Sequence, residues 1–187
     1  GVVENVFPGV KKPCGLIGIA EKGMINAQYR VRSGGGHASA PPVKTPLTTL
    51  SKACLSVIQH PFKMQITKPA AEMFDTLGRH SSFALKIVFA NLWLFQPVLD
   101  LICRLSGGEI NALVRTTTAF TQAQGSNARN VIPTEAVLVS NMRLNPSDSV
   151  ASAAAYLKKT VNDDTVEITV LESSEPSRIS QTGCSAW

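Results

Sequence analysis

From Met24 the chain alternates: Ile25, Ala27, Tyr29 and Val31 on one side, Asn26, Gln28, Arg30 and Arg32 on the other. Successive side chains of a pleated strand point to opposite faces, so Met24–Arg32 predicts a strand with one buried face. Val137–Leu144 behaves likewise, with Leu138, Met142 and Leu144 on one face and Val137, Val139, Asn141 and Arg143 on the other. Asn111–Gln122 is rich in β-formers and reads as a third strand; Val166, Ile168 and Val170 mark a fourth. Gly15–Ala20 is a short apolar run that reads as one more. Between strands the period turns helical. Thr45-Pro46 supplies an N-cap and a first-turn proline, Leu47, Leu50, Cys54 and Val57 recur at helical spacing, and His60-Pro61 closes the segment. Asn145-Pro146-Ser147 predicts the start of a second helix with the stripe Val150, Ala154, Leu157 and Val161, ended by Asp163-Asp164.

With Pro61–Glu109 set aside, the order is strand–helix–strand–strand–helix–strand. That is an α+β, ferredoxin-like βαββαβ arrangement. Each helix has one apolar stripe, so both helices pack on one face of a four-stranded antiparallel sheet. The remainder, about 61–109, is an insertion between the first helix and the second strand. Met64–Arg79 has no clean period. Ser82–Leu105 is helical but apolar on more than one side, and Pro97 predicts a break into two helices. Such a surface needs cover from protein, partner or ligand, as a satellite core or as the wall of a ligand site.

The 44% hydrophobic content excludes a disordered chain. Lys and Arg total 18 against 13 Asp and Glu, a spread excess whose densest pairs are Lys11-Lys12 and Lys158-Lys159. Solvated surface charge accounts for it, and it also suits an anionic substrate. Cys14, Cys54, Cys103 and Cys184 form no CxxC pair, which argues against a zinc knuckle. The longest uncharged run containing Ile87–Leu99 is too short and too interrupted for a membrane span, which needs about 20 apolar residues. The strands carry only Tyr29 and Phe120 as aromatics, so no stacking platform for nucleic acid is expected.

Two stretches carry candidate chemistry. In Ser33-Gly34-Gly35-Gly36-His37-Ala38-Ser39-Ala40-Pro41-Pro42, an imidazole sits on a bare, proline-stiffened loop. His37 is either an incidental loop residue or a presented functional group. In Gly125–Pro133, Asn130 precedes an apolar, proline-terminated step and suits a sharp turn. Arg143 follows mid-strand, opposite in phase to Leu138 and Met142. A guanidinium there binds a carboxylate, from a side chain in an ion pair or from a ligand. His60 reads as a helix-end residue, His80 has no assigned role, and no HxH, HxD or HExxH unit offers a metal site.

Three motifs in order resemble the zinc aminoacylase/carboxypeptidase family: Glu21-Lys22-Gly23, the Gly-His-Ala-Ser-Ala-Pro-Pro loop, and Asn130-Val131-Ile132-Pro133 followed by Arg143. Asn91-Leu92-Trp93-Leu94-Phe95 and Arg115-Thr116-Thr117-Thr118-Ala119 are similar to its carboxypeptidase S-like branch, which includes N-acyl amino acid hydrolases. The resemblance implies a dimerisation (lid) domain over 24–172, with flanks 1–23 and 173–187 leading to the catalytic domain of the same polypeptide. It implies a homodimer, and two zinc ions in the full-length enzyme held by residues outside this chain. The implied reaction is amide hydrolysis of peptides or N-acyl amino acids with a free carboxylate, with Phe89, Trp93 and Phe95 of the insertion helping to shape a site for apolar acyl or side-chain groups. His37 is then the oxyanion donor, and Asn130 and Arg143 hold the carboxylate. The isolated chain is expected to bind no zinc and to be inactive. The alternative is a self-standing homodimerising module without catalysis. Localisation is left open, because the chain does not start with Met.

Overall fold

The computed structural model describes residues 1–3 and 13–182; Lys11, Lys12 and Cys184 lie outside the described residues. In chain order the elements are β1 (Val2–Val3), β2 (Cys14–Gly15), β3 (Gly23–Arg32), β4 (Gly36–His37), α1 (Pro46–Gln59), α2 (Lys68–Arg79), α3 (Phe83–Ala90), α4 (Leu92–Ser106), α5 (Gly108–Val114), β5 (Thr117–Gln124), β6 (Val131–Ile132), β7 (Glu135–Leu144), α6 (Val150–Val161) and β8 (Glu167–Ser174). They form two compact units. One joins Lys22–Lys63 to Thr116–Pro176; the other holds Met64–Arg115 with the described parts of Gly1–Glu21 and Ser177–Trp187.

The first unit is the expected α+β fold. Its antiparallel sheet has the order β5-β7-β3-β8. The alternation in β3 decides which face is covered: Ile25, Ala27, Tyr29 and Val31 are at most 5% exposed. They pack with Leu50, Ala53 and Val57 of α1, Ala153 and Leu157 of α6, and Met142 and Leu144 of β7. Each large apolar side chain so buried contributes about 1.5–3 kcal/mol. The other face carries Met24, Asn26, Gln28 and Arg30 of β3 and, by register, Val139, Asn141 and Arg143 of β7. No helix of this unit shares in covering it through the core cluster.

Helix boundaries follow their caps. Thr45 and Thr48 close a reciprocal capping box on α1, and His60 ends it by turning its backbone N–H and ring Nδ1 to the Ser56 carbonyl. The cap of α6 is Ser149, boxed with Ser152, and not the expected Asn145-Pro146-Ser147. Asn145 instead accepts the Ser147 N–H on its own side chain and turns the chain before the helix. Asn162 ends α6 in the left-handed region, one residue before the expected Asp163-Asp164.

The second unit corrects three expectations. The strand expected over Asn111–Gln122 starts only at Thr117, because Gly108–Val114 is α5. Val114 is fully buried with Met64, Ala70, Phe74, Phe89, Leu99 and Cys103, and that packing overrides its β propensity. The helical break lies at Asn91, with a 110° bend, and Pro97 stays inside α4. Asn91 caps its own preceding turn, its amide donating to the Ile87 carbonyl at 2.9 Å, while its carbonyl accepts from Leu94 and Phe95. Of the Gly15–Ala20 run, only Gly15 is in a strand, the two-residue β2, whose partner β1 is equally short. The irregular Met64–Arg79 stretch contains α2, opened by Thr67, whose side chain accepts from Ala70. Gly78 of α2 lets Phe89 approach: a Cβ there would lie 2.8 Å from Phe89. Among the described residues no single helix is long and apolar enough to cross a membrane.

Candidate functional site

β3 and β7 continue past the sheet as a narrow ribbon. The Ser33 N–H donates to the Thr134 carbonyl, Gly36 pairs with Ile132, His37 with Val131, and the Ala38 N–H donates to the Asn130 carbonyl. Gly35 is required here. Its φ is +70°, and a Cβ would lie 2.9 Å from the Thr134 side chain. The ribbon therefore presents His37 and Asn130 side by side and exposed, with His37 Nε2 3.4 Å from the Asn130 amide nitrogen.

The imidazole tautomer follows from its neighbours. The Ser39 backbone N–H donates to His37 Nδ1 at 3.2 Å, and the Ser39 hydroxyl lies 2.8 Å from the same nitrogen. A nitrogen that accepts an N–H carries no proton, so the neutral ring is protonated on Nε2. Two N–H donors do not bond to each other. The Asn130 amide therefore presents its oxygen to Nε2–H. At the exposed tip of the ribbon, Nε2 of His37 and the Asn130 side chain thus form one polar pair.

Arg143 stands elsewhere. On β7 it pairs with Met24 of β3 and Thr117 of β5, exposed on the open face. The ladder from Met24 to Arg32 is roughly 26 Å long at the ordinary strand rise, and the ribbon begins beyond it. The structure thus brings His37 and Asn130 together and holds Arg143 at the opposite end of the same sheet. Among the described residues no carboxylate forms an ion pair with Arg143. Other arginines differ: Arg32 is bound by Glu135 and Glu167, and buried Arg115 by Asp100.

Lys22 was legible only as the middle of a motif. It precedes β3 in phase with Met24, half-buried on the open face. Burial, and then the like charge of Arg143, pull its ammonium down to about 8, with Asp148 pulling the other way. Asp148 also accepts from Thr116 Oγ1 at 2.5 Å, and Thr116 Oγ1 in turn accepts the Asn145 backbone N–H. One row further along, Asn141 donates to Asn26 at 2.7 Å and Asn26 to Glu172 at 3.0 Å.

Of the insertion aromatics, Phe89 is not available to a ligand: it is 5% exposed and stacked on Phe74 at 5.6 Å. Trp93 is 78% exposed. Among the described residues no three of His, Cys, Asp and Glu come close enough to hold a metal ion. This chain's described residues therefore do not fit a two-zinc site.

A model of the peptidase dimerisation domain matches residues 19–169. The chain belongs to the peptidase dimerisation domain family. It is 37% identical over 180 residues to the N-fatty-acyl-amino acid synthase/hydrolase PM20D1 of Xenopus tropicalis, covering 96% of this chain and 35% of that protein. It is 35% identical over 182 residues to the probable carboxypeptidase S-like 2 of Dictyostelium discoideum, covering 97% of this chain and 35% of that protein. The chain thus spans about a third of the length of these relatives. Among solved structures, the dipeptidase Dug1p of Saccharomyces cerevisiae superposes with a TM-score of 0.57 at 12% identity, over 89% of this chain and 38% of that one. Human carnosine dipeptidase 1 gives 0.56 at 11%, over 89% and 41%. At such identities these two superpositions speak for the fold, and they agree with the ferredoxin-like sheet described above.

Proposed function

We propose that this chain is the lid and dimerisation part of a two-zinc amide hydrolase, acting on peptides or N-acyl amino acids with a free carboxylate. The zinc ions belong to a catalytic domain carried by the rest of the polypeptide; when bound, they activate the attacking water. The relatives' names, an N-fatty-acyl-amino acid synthase/hydrolase and a carboxypeptidase S-like protein, favour substrates that keep a carboxylate beside the scissile amide.

His37 donates its Nε2–H to the oxyanion that forms as water adds to the amide carbonyl. The Ser39 N–H occupies Nδ1 and so leaves the proton on Nε2, ready to pass from Asn130 to the developing charge. Asn130, beside the ring, hydrogen-bonds the same substrate. Arg143 takes the substrate carboxylate by a forked, charge-assisted contact. In such a substrate the carboxylate and the scissile carbonyl are neighbours, whereas His37 and Arg143 of one chain are separated by the length of β3. A homodimer resolves this: one copy supplies His37 and Asn130, and the other Arg143.

The observation that carries the reading is the exposed His37, with Nδ1 occupied by Ser39 and Nε2 beside Asn130. In the full-length enzyme, His37→Ala lowers kcat by about 10²–10³ with little change in KM, the usual loss for one oxyanion donor. An unchanged kcat overturns the assignment.

A further inference from the structure

A second cation, Lys22, stands on the same face as Arg143 of the proposed clamp. Lys22 continues the phase of Met24 and Asn26, so it stands on the open face. Gly23 pairs with Leu144, which places Lys22 opposite Asn145 and makes Arg143 its diagonal neighbour across the β3–β7 ladder. Diagonal partners lie about 7–8 Å apart, within reach of two long side chains. The adjoining Gly23 fixes this presentation. A Cβ there would fall 2.6 Å from the Ser174 carbonyl oxygen and 2.7 Å from Pro176, so only glycine lets the end of β8 press on the start of β3.

We infer that Lys22 is the second cation of the carboxylate clamp, its ammonium sharing the substrate's carboxylate with the Arg143 guanidinium at this end of the open face. This rests on the reading of Arg143 given above. Three observations support it. The two cations are close enough to feel each other, an arrangement that costs energy until an anion sits between them. Arg143 pairs with no carboxylate among the described residues, so a bound carboxylate supplies its counter-charge. Half-burial also sets Lys22 apart from a surface lysine, whose ammonium ordinarily stays in water.

The test uses the full-length enzyme, an N-acyl amino acid and its carboxamide analogue, in which an amide replaces the carboxylate. Lys22→Met and Lys22→Gln raise KM for the acid by about ten- to a hundredfold, the ordinary loss for a hydrogen bond to a charged group, with KM for the carboxamide and kcat within about twofold. A packing role would move both substrates together. Wild-type enzyme needs no substitution for the second readout. With Lys22 titrating near 8 between Arg143 and Asp148, KM for the acid rises above that pH, and the rise is absent for the carboxamide. If the Lys22 variants shift both substrates equally or neither, or if the wild-type acid profile stays flat to pH 9.5, the inference is overturned. Arg143→Met separates the two levels: an unchanged KM for the acid sinks the clamp itself, whereas a raised one beside silent Lys22 variants removes Lys22 alone.

Discussion

The backbone N–H of Ser39 donates to Nδ1 of His37, two residues earlier in the same loop. The bond is local, so it travels with the ribbon wherever the ribbon docks. It occupies Nδ1 and leaves Nε2 as the nitrogen that donates, without help from a buried carboxylate. Nitrogen-15 NMR on histidine-labelled protein is expected to show a pyridine-like Nδ1 and a pyrrole-like Nε2 for His37. The reverse pattern would remove the donor from the exposed side of the ring.

The separation of His37 from Arg143 leads to a complementation test. His37→Ala and Arg143→Ala full-length enzymes are each nearly inactive. Co-refolded in equal amounts, half the dimers are mixed. Each mixed dimer has one site with both defects and one intact site, so activity recovers to about a quarter of wild type. No recovery on mixing places both residues in one protomer's site.

Gly35 holds the ribbon in a conformation that side chains resist. At φ +70°, and with the Thr134 methyl in the way, Gly35→Ala destabilises the fold by about 1–2 kcal/mol. Urea denaturation measures this as a lowered midpoint at unchanged slope. Equal midpoints would show that the turn relaxes.

In the second unit, Arg115 is 1% exposed and pairs with Asp100, which also binds Arg104. Burial pushes the Asp100 carboxyl up, but Arg115 and Arg104 more than offset it and leave it below the usual carboxylate range. A depressed folded value gives stability that is present above about pH 4, the unfolded value, and is lost as pH falls through the folded one. Asp100→Asn removes that acid limb and costs about 3 kcal/mol at pH 7, because Arg115 keeps its buried charge without its counter-ion. A variant with wild-type stability at pH 7 would mean that Arg115 finds another partner.

The sheet was legible because one of its faces is greasy and the other is not. Ile25, Ala27, Tyr29 and Val31 had to share a side, and all four are buried. The caps around α1 were equally plain, since Thr45, Pro46 and Pro61 act within a few residues of themselves. Reading failed where packing between distant segments decides. Val114 is a β-former held in a helix by the insertion's own core, and Asn91 breaks a helix that Pro97 only joins. The site divides along the same line. His37 and Asn130 were found separately as motif residues, but their contact spans 93 positions and is made by the ribbon. Asn130 and Arg143 are close in sequence and were expected on one carboxylate. The ten-residue strand β7 runs between them and carries Arg143 to the far end of the sheet. Lys22 had a motif and no role, because its neighbours Arg143 and Asp148 meet it only across the β3–β7 ladder.

The length of β3 has a kinetic meaning beyond geometry. If the two ends of one sheet serve different substrates at any instant, turnover per milligram depends on how much protein is present. Dilution below the self-association constant then silences the enzyme without touching a single reacting group, and modest changes in abundance act as a throttle on the reaction.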